Sequence, residues 1–335
     1  MSANVRRWAA GAVVVALLTP AACGNGEPTG PTARAATYAI AHGSDVLLVE
    51  RHGTTTLTAT RPPWRVDSPH RLASGTKSFA GVAAIAAVQD GYLTLDEPAA
   101  DTLTEWRSDP VKSRITVREL LDQSSGLDPK GGLPADDVYR AAIASPVLHE
   151  PGTTFDYGPD HFNAFAALLQ RALRKHGFHG DALAYLRARV LDRIGARVAG
   201  WDRDAVGQPL FAAGADFSAD QWIRFGRLVA QHGMWGHRRI LRAALVDEML
   251  TPSAANPRYG LGWWLNPGPE PDDHDGRVHP GPIPGAPRDL VMAAGAGDQR
   301  LYVIPSRGLV VARFGEEERF EDRAFLTRLF GASHR

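Results

Sequence analysis

Ala73-Ser74-Gly75-Thr76-Lys77-Ser78-Phe79-Ala80-Gly81-Val82-Ala83-Ala84-Ile85-Ala86-Ala87-Val88-Gln89-Asp90-Gly91 is the stretch that decides the reading of this chain. From Thr76 onward alanine is abundant and nearly every residue is apolar. The pattern predicts a buried helix over 76–90, stopped by Gly91. The polar start of that helix stands out. The chain has four lysines, Lys77, Lys112, Lys130 and Lys175, against 33 arginines, so positive charge is almost always supplied by Arg. Arg stays protonated near neutral pH, whereas a buried Lys can give up its proton. From the 14 serines and four lysines, about 0.2 Ser-x-x-Lys matches are expected by chance. One is present, at the helix start. Residues at i and i+3 share a face, so the Lys77 amine can reach the Ser74 hydroxyl. The free N–H groups and positive dipole end of a helix start favour a developing anion. A serine hydroxyl becomes a nucleophile when a base takes its proton, which a desolvated lysine can do. The plainer alternative makes Ser74 a helix cap and Lys77 a solvated first-turn residue.

A length of 335 residues implies one large domain or two closely joined ones. Hydrophobic and charged contents of 44% and 22% are those of an ordinary globular protein. The formal net charge of zero argues against nucleic acid or a broad anionic surface as partner. Zinc-ligand spacing, a phosphate-binding loop, a Gly-x-Ser-x-Gly elbow and internal repeats are all missing from the sequence. Asp272-Asp273-His274-Asp275 sits in a Pro/Gly-rich stretch and reads as a solvated loop, not a metal site.

Residues 1–23 read as a targeting segment. Arg6-Arg7 supplies the basic region and Trp8 to Leu18 an apolar stretch too short to span a bilayer as a conventional helix. Small residues then precede Cys23, the one cysteine in the chain. This resembles a bacterial lipoprotein processing site, with Cys23 lipidated and tethering the mature chain to a membrane, although Pro20 stands where an aliphatic residue is usual. An ordinary secretory signal cut elsewhere is the other reading. Residues 24–36, rich in Gly, Pro and Thr, read as a flexible linker, with the folded region, 37–335, following.

Segments 37–41 and 46–51 read as two strands of a hairpin around Gly43-Ser44-Asp45. A capping box at Thr116-Val117-Arg118-Glu119 opens a short helix, and 160–176, 181–193, 219–232 and 241–250 are helical in pattern. Strand-like runs return at 259–265, 289–293, 300–304 and 309–314, before a terminal helix at about 319–331. Strands at both ends around a helical middle imply an α+β fold. One antiparallel sheet, built from both chain ends and flanked by helices, would carry a helical insertion at about 93–250.

Several further stretches, taken in order, carry a resemblance: Asp90-Gly91-Tyr92-Leu93-Thr94-Leu95-Asp96-Glu97-Pro98, Ile115-Thr116-Val117-Arg118-Glu119-Leu120-Leu121-Asp122-Gln123-Ser124-Ser125-Gly126-Leu127, Pro151-Gly152-Thr153-Thr154-Phe155-Asp156-Tyr157, Tyr259-Gly260-Leu261-Gly262-Trp263-Trp264 and Gly295-Ala296-Gly297-Asp298-Gln299. With Ser74-Gly75-Thr76-Lys77 they make the chain resemble the serine β-lactamase and penicillin-binding-protein superfamily, closest to class C-like esterases and 6-aminohexanoate-dimer (nylon-oligomer) hydrolases. The resemblance implies a β-lactamase-like fold. It implies Ser74 as acyl-forming nucleophile, Lys77 as its proton partner and Tyr157 as a further base whose pKa nearby Lys77 would lower. It also implies an oxyanion hole from backbone N–H groups of Ser74 and the strand edge at Gly295-Ala296. No metal or organic cofactor is needed by such a site.

The chain departs from the β-lactamases at two points. Pro159 stands where Tyr-x-Asn has its asparagine, with Asp160 and Asn163 as possible substitutes. Ala293-Ala294-Gly295 stands where the third motif has a cation and a hydroxyl, with Arg300 and Arg258 as candidates to restore the charge. Both changes argue against efficient penicillin hydrolysis and peptidoglycan carboxypeptidase action, and favour an ester or a neutral small amide. The expectation is an exported monomeric serine hydrolase acting on a small ester or amide. Alternatives are a true β-lactamase or D-amino-acid peptidase, and a catalytically idle cell-surface binding or sensor protein.

Overall fold

The computed structural model describes residues 14–16, 30–130, 134–266, 283, 285–315 and 320–331. Cys23, residues 24–29 and the Asp272–Asp275 stretch lie outside the described residues, as does all of the expected signal segment except 14–16.

The chain begins with β1 (Val14–Ala16), α1 (Pro31–Ala41), β2 (Ser44–Arg51), β3 (Thr54–Thr60) and β4 (His70–Arg71). The buried helix α2 (Lys77–Gln89) follows, then α3 (Val117–Leu121), α4 (Val138–Ala144), α5 (Asp160–Lys175) and α6 (Ala182–Leu186). Next come β5 (Gly200–Trp201), β6 (Ala215–Phe217), α7 (Ala219–Ala230), β7 (Met234–Trp235), β8 (Arg238–Arg239) and α8 (Ala243–Met249). The chain closes with β9 (Trp264–Leu265), β10 (Val291–Gly295), β11 (Gln299–Ile304), β12 (Leu309–Gly315) and α9 (Asp322–Phe330).

The main sheet runs β1-β3-β2-β12-β11-β10-β9, with every neighbouring pair antiparallel. N-terminal and C-terminal strands meet at β2 and β12, where Val49 faces Val311 and Leu47 faces Arg313. The α+β architecture with a sheet built from both chain ends is therefore present. Alternation along the strands sorts the core into two layers. Leu47, Val49, Tyr302, Ile304 and Val311 pack with α1 and α9 on one face, through Tyr38, Phe325 and Leu326. Val46, Leu48, Leu301, Val303 and Val310 face the other layer, which includes α2, α5 and α7.

The first helix corrects two expectations. Residues 37–41 are the second half of α1, not a strand, and 31–36 belong to the same helix, not to a linker. Pro31 at the first helical position and the alanines at 33, 35, 36 and 39 favour the helix, and Ala35, Ala36, Tyr38 and Ala39 are buried on the sheet. The hairpin is instead β2–β3, closed through His52-Gly53. The helical insertion also ends earlier than expected. Helix α7, inside the expected span 93–250, packs on the sheet against β2, β11 and β12. The stretch 93–250 also contains short strands, of which β5 and β6 join β4 in a small separate sheet.

Helix α2 is the axis between the two parts. Residues 77–87 are all buried, as an all-round apolar helix requires. Burying Phe79, Val82 and Ile85 contributes roughly 1.5–3 kcal/mol each. A β-carbon at Gly81 would come 2.0 Å from the Leu261 carbonyl oxygen, so the segment before β9 rests directly on the helix. Any side chain there would push the two apart.

Candidate active site

Ser74 lies in a 3-10 turn, Ala73–Thr76, that leads into α2. Ala73 takes a left-handed φ of 47°, a strained conformation for a residue with a β-carbon. The turn is braced by Gly75 N–H to Leu72 O (2.9 Å), Thr76 Oγ1 to Ala73 O (2.7 Å) and Ala215 N–H to Thr76 Oγ1 (3.1 Å). Ser74 keeps partial exposure while Gly75, Thr76, Lys77 and Ser78 are buried. The braced turn thus holds a partly exposed serine beside a buried lysine.

Lys77 is 3% exposed, and its Nζ donates to Ser74 Oγ at 3.1 Å and to the Ala212 carbonyl at 2.9 Å. The amine faces the Tyr157 ring, 4.9 Å from its centroid, and the Phe162 ring at 5.6 Å. Burial among these groups lowers the Lys77 pKa to about 7. A neutral amine is then within reach near neutral pH, 3.1 Å from the serine hydroxyl. The solvated-lysine alternative does not hold.

Tyr157 stacks on Trp264, with centroids 5.5 Å apart and planes at 26°, and meets the edge of Tyr259 at 6.3 Å. Burial pushes its pKa up to about 12; the Ser74 side chain and the positive charge of Arg300 pull the other way and are outweighed. Lys77, expected to depress the phenol, is not among the groups that do so. At neutral pH the pair is thus an amine poised to accept a proton and a phenol that holds one.

Gly295, at the end of β10, lies against the Ala73–Thr76 turn. A β-carbon there would come 1.9 Å from Leu72 O and 3.0 Å from Gly75 N, so only glycine lets the strand approach this closely. Ala296 follows, exposed, in the turn that joins β10 to β11. The structure therefore brings Ser74, Lys77, Tyr157, Gly295 and Ala296 to one region between the sheet edge and the insertion. Tyr139 and Tyr185 are committed elsewhere, donating to Pro209 O and Asp90 Oδ2.

Both sequence departures have a structural counterpart. Pro159 precedes α5, and its carbonyl accepts from Phe162 and Asn163 N–H. The lysine amine is held by the backbone carbonyl of Ala212. In the third motif, Ala293 is core and Ala294 half-buried, and Ala294 pairs across the ladder with Arg300. The Arg300 guanidinium donates to Gly295 O (3.1 Å), Asp298 Oδ1 (3.1 Å) and Asp322 Oδ1 (3.0 Å). Arg300, not Arg258, is the cation that acts on Tyr157. Of the two adjacent tryptophans, Trp263 is core against Phe225 and Trp264 backs Tyr157. Sequence reasoning missed Ala212, whose contribution is a carbonyl and carries no side-chain signal. It also missed Gln123 and His161, which bond the chain on either side of Tyr157.

Among the described residues no cluster of three or more His, Cys, Asp or Glu could hold a metal ion. The family model described as Beta-lactamase matches residues 29–329. A solved family VIII carboxylesterase superposes with a TM-score of 0.69 at 16% identity, covering 91% of this chain and 97% of that one. A putative 6-aminohexanoate-dimer hydrolase from Bacillus anthracis gives 0.69 at 16% identity, covering 87% of this chain and 79% of that one. Protein flp of Staphylococcus aureus (strain COL) is 25% identical over 118 residues, which is 32% of this chain and 24% of that protein. The chain thus matches about a quarter of the length of that curated relative. At these identities the solved structures establish the β-lactamase-like fold, and the family match spans nearly the whole described chain. The chain belongs to the Beta-lactamase family.

Proposed function

We propose that this protein is a serine hydrolase that cleaves an ester or small amide through an acyl-enzyme on Ser74. The observation that carries the reading is the buried Lys77 amine, with a pKa near 7, 3.1 Å from the Ser74 hydroxyl. As Ser74 Oγ attacks the substrate carbonyl carbon, its proton passes to neutral Lys77. The negative oxygen of the tetrahedral intermediate faces the N–H groups of Ser74 and Ala296. Tyr157, protonated at neutral pH, gives its proton to the leaving oxygen or nitrogen as that bond breaks, and takes the lysine's proton in exchange. Water then attacks the acyl-serine, giving one proton to Lys77 and thence to Ser74 Oγ, and the acid leaves.

Neutral substrates are favoured because Ala293-Ala294 offers neither cation nor hydroxyl to a carboxylate, and Arg300 is tied to Asp322 and Asp298. The carboxylesterase and 6-aminohexanoate-dimer hydrolase names among the structural neighbours support hydrolysis of an ester or an amide. Export, with lipid on Cys23 as membrane tether, and action as a monomer belong to the same proposal. Mass analysis of the protein's N-terminal peptide from a bacterial host checks the lipid. Hydrolysis of p-nitrophenyl butyrate by the protein, beside Ser74→Ala, tests the chemistry. Activity lost in the variant supports the acyl-serine; activity retained in it removes Ser74 as nucleophile.

A further inference from the structure

Two buried polar side chains near the site have no part in the proton transfers above. Gln123 is fully buried and adopts a left-handed φ of 63°, uncommon for a residue with a β-carbon. His161, in the first turn of α5, is also fully buried. Both bond the same short segment. Gln123 O accepts from Asp156 N–H at 3.0 Å, and Gln123 Oε1 accepts from Gly158 N–H at 2.8 Å. His161 Nε2 meets the Asp156 carbonyl at 2.7 Å, and its Nδ1 meets Ser125 Oγ at 2.8 Å.

The tautomer follows from the partners. A carbonyl can only accept, so Nε2 carries the proton, and Nδ1 accepts from the Ser125 hydroxyl. Burial lowers the His161 pKa to about 4, aided by the nearby charge of Lys77, so the ring is neutral across the working range. The carbonyl of Asp156 belongs to the peptide before the Tyr157 α-carbon, and the N–H of Gly158 to the peptide after it. Fixing both peptide planes fixes the φ and ψ of Tyr157 and hence the direction in which its side chain leaves the backbone. Stacking on Trp264 then fixes the ring.

Resting on the hydrolase reading above, we propose that Gln123 and His161 are positioning residues: together they clamp the two peptides around Tyr157 and so aim its phenol at Ser74 and Lys77. Ser125 is the support that orients the histidine ring. The left-handed backbone of Gln123 is what lets one residue use both its carbonyl and its side-chain oxygen on the same strand of chain. Loss of either clamp leaves substrate binding intact, because neither side chain reaches the cleft, and slows proton transfer, because about an ångström of misplacement can cost 100-fold in rate.

The test uses Gln123→Met and His161→Phe, which remove the acceptor and the donor at similar volume, beside Gln123→Glu and His161→Gln, which keep them. Ester hydrolysis should show kcat lowered roughly 10- to 100-fold in the first pair, with KM within about two-fold and substantial recovery in the second pair. Hydrogen exchange at the Gly158 amide should speed up in Gln123→Met and stay slow in Gln123→Glu. Folded Gln123→Met and His161→Phe proteins with wild-type kcat would overturn the proposal, as would a rise in KM alone. Unchanged protection of Gly158 in Gln123→Met would do the same. A wild-type protein that turns over no ester and takes no serine-reactive phosphonate overturns the hydrolase reading instead. The Gly158 exchange still decides the clamp in that case, because it needs no turnover.

Discussion

The Nζ of Lys77 donates a 2.9 Å hydrogen bond to the carbonyl oxygen of Ala212. The partner is neutral, and this decides the chemistry of the lysine. A carboxylate in that place would hold the ammonium form and keep its pKa high. A carbonyl orients the amine and leaves burial free to lower the pKa to about 7.

The first prediction concerns pH. Lys77 must be neutral to accept the serine proton, and Tyr157 must be protonated to donate one. The value of kcat/KM should therefore rise through a pKa near 7 and stay level to at least pH 10, because Tyr157 titrates only near 12. Lys77→Arg cannot deprotonate and should lose at least about 100-fold in kcat. A flat profile between pH 5 and 9 would remove Lys77 as the base.

The same burial costs stability. The folded-state pKa of Lys77 is below its unfolded value of 10.5, so between about 7 and 10.5 the unfolded chain binds the extra proton. The Lys77 contribution to stability therefore improves as pH rises through that window, and the penalty is full below it. Lys77→Met should abolish activity yet raise Tm at pH 6 by at least about 3 °C, with the gain shrinking toward pH 10. Calorimetry at three pH values checks it, and a lower Tm at pH 6 would contradict it.

Tyr157→Phe keeps the stacked ring on Trp264 and removes only the hydroxyl. Its Tm should stay within about 2 °C of wild type while kcat falls roughly 100- to 1000-fold. Steady-state kinetics and thermal melting, read together, separate loss of proton transfer from loss of packing.

Gly295→Ala places a β-carbon 1.9 Å from Leu72 O, so β10 or the nucleophile turn must move. We expect a loss of about 2–4 kcal/mol in denaturant unfolding and a larger proportional loss of kcat than of substrate affinity. Wild-type kcat in this variant would show that the strand edge does not help form the oxyanion site.

The missing cation gives a substrate prediction. A charge-assisted hydrogen bond is worth about 1.5–3 kcal/mol, so a neutral p-nitrophenyl ester should exceed a carboxylate-bearing one of equal length by roughly 10- to 100-fold in kcat/KM. A cephalosporin chromogen should fare no better than the charged ester. Equal rates would point to another cation in the cleft.

Much of the fold and of the site is legible in the sequence itself. Ser74 and Lys77 announced themselves because lysine is scarce and the helix around them is apolar. The strands of β2, β11 and β12 showed through their β-branched runs. Helix α1 did not, because Thr37-Tyr38-Ala39-Ile40 has strand-like residues and only burial against the sheet, together with Pro31, turns the balance. Ala212 and Gln123 act through a backbone carbonyl and a left-handed backbone angle, and neither is written in residue type. Arg300 is six residues from Ala294 along the chain but its direct neighbour across the β10–β11 ladder, so its nearness becomes visible only with register.

The meeting of β2 with β12 has a consequence for the order of synthesis. The nucleophile turn and α2 are made in the first third of the chain, whereas β10 and the strand that seals the sheet are among the last segments to emerge. Ser74 has no completed site until β10 and β12 are in place, so the nascent chain carries an unfinished sheet edge for most of its translation. On the proposed chemistry, catalytic competence arrives late, after release of the C-terminal strands, and a chain cut short before residue 291 is expected to be inert however well its helices form.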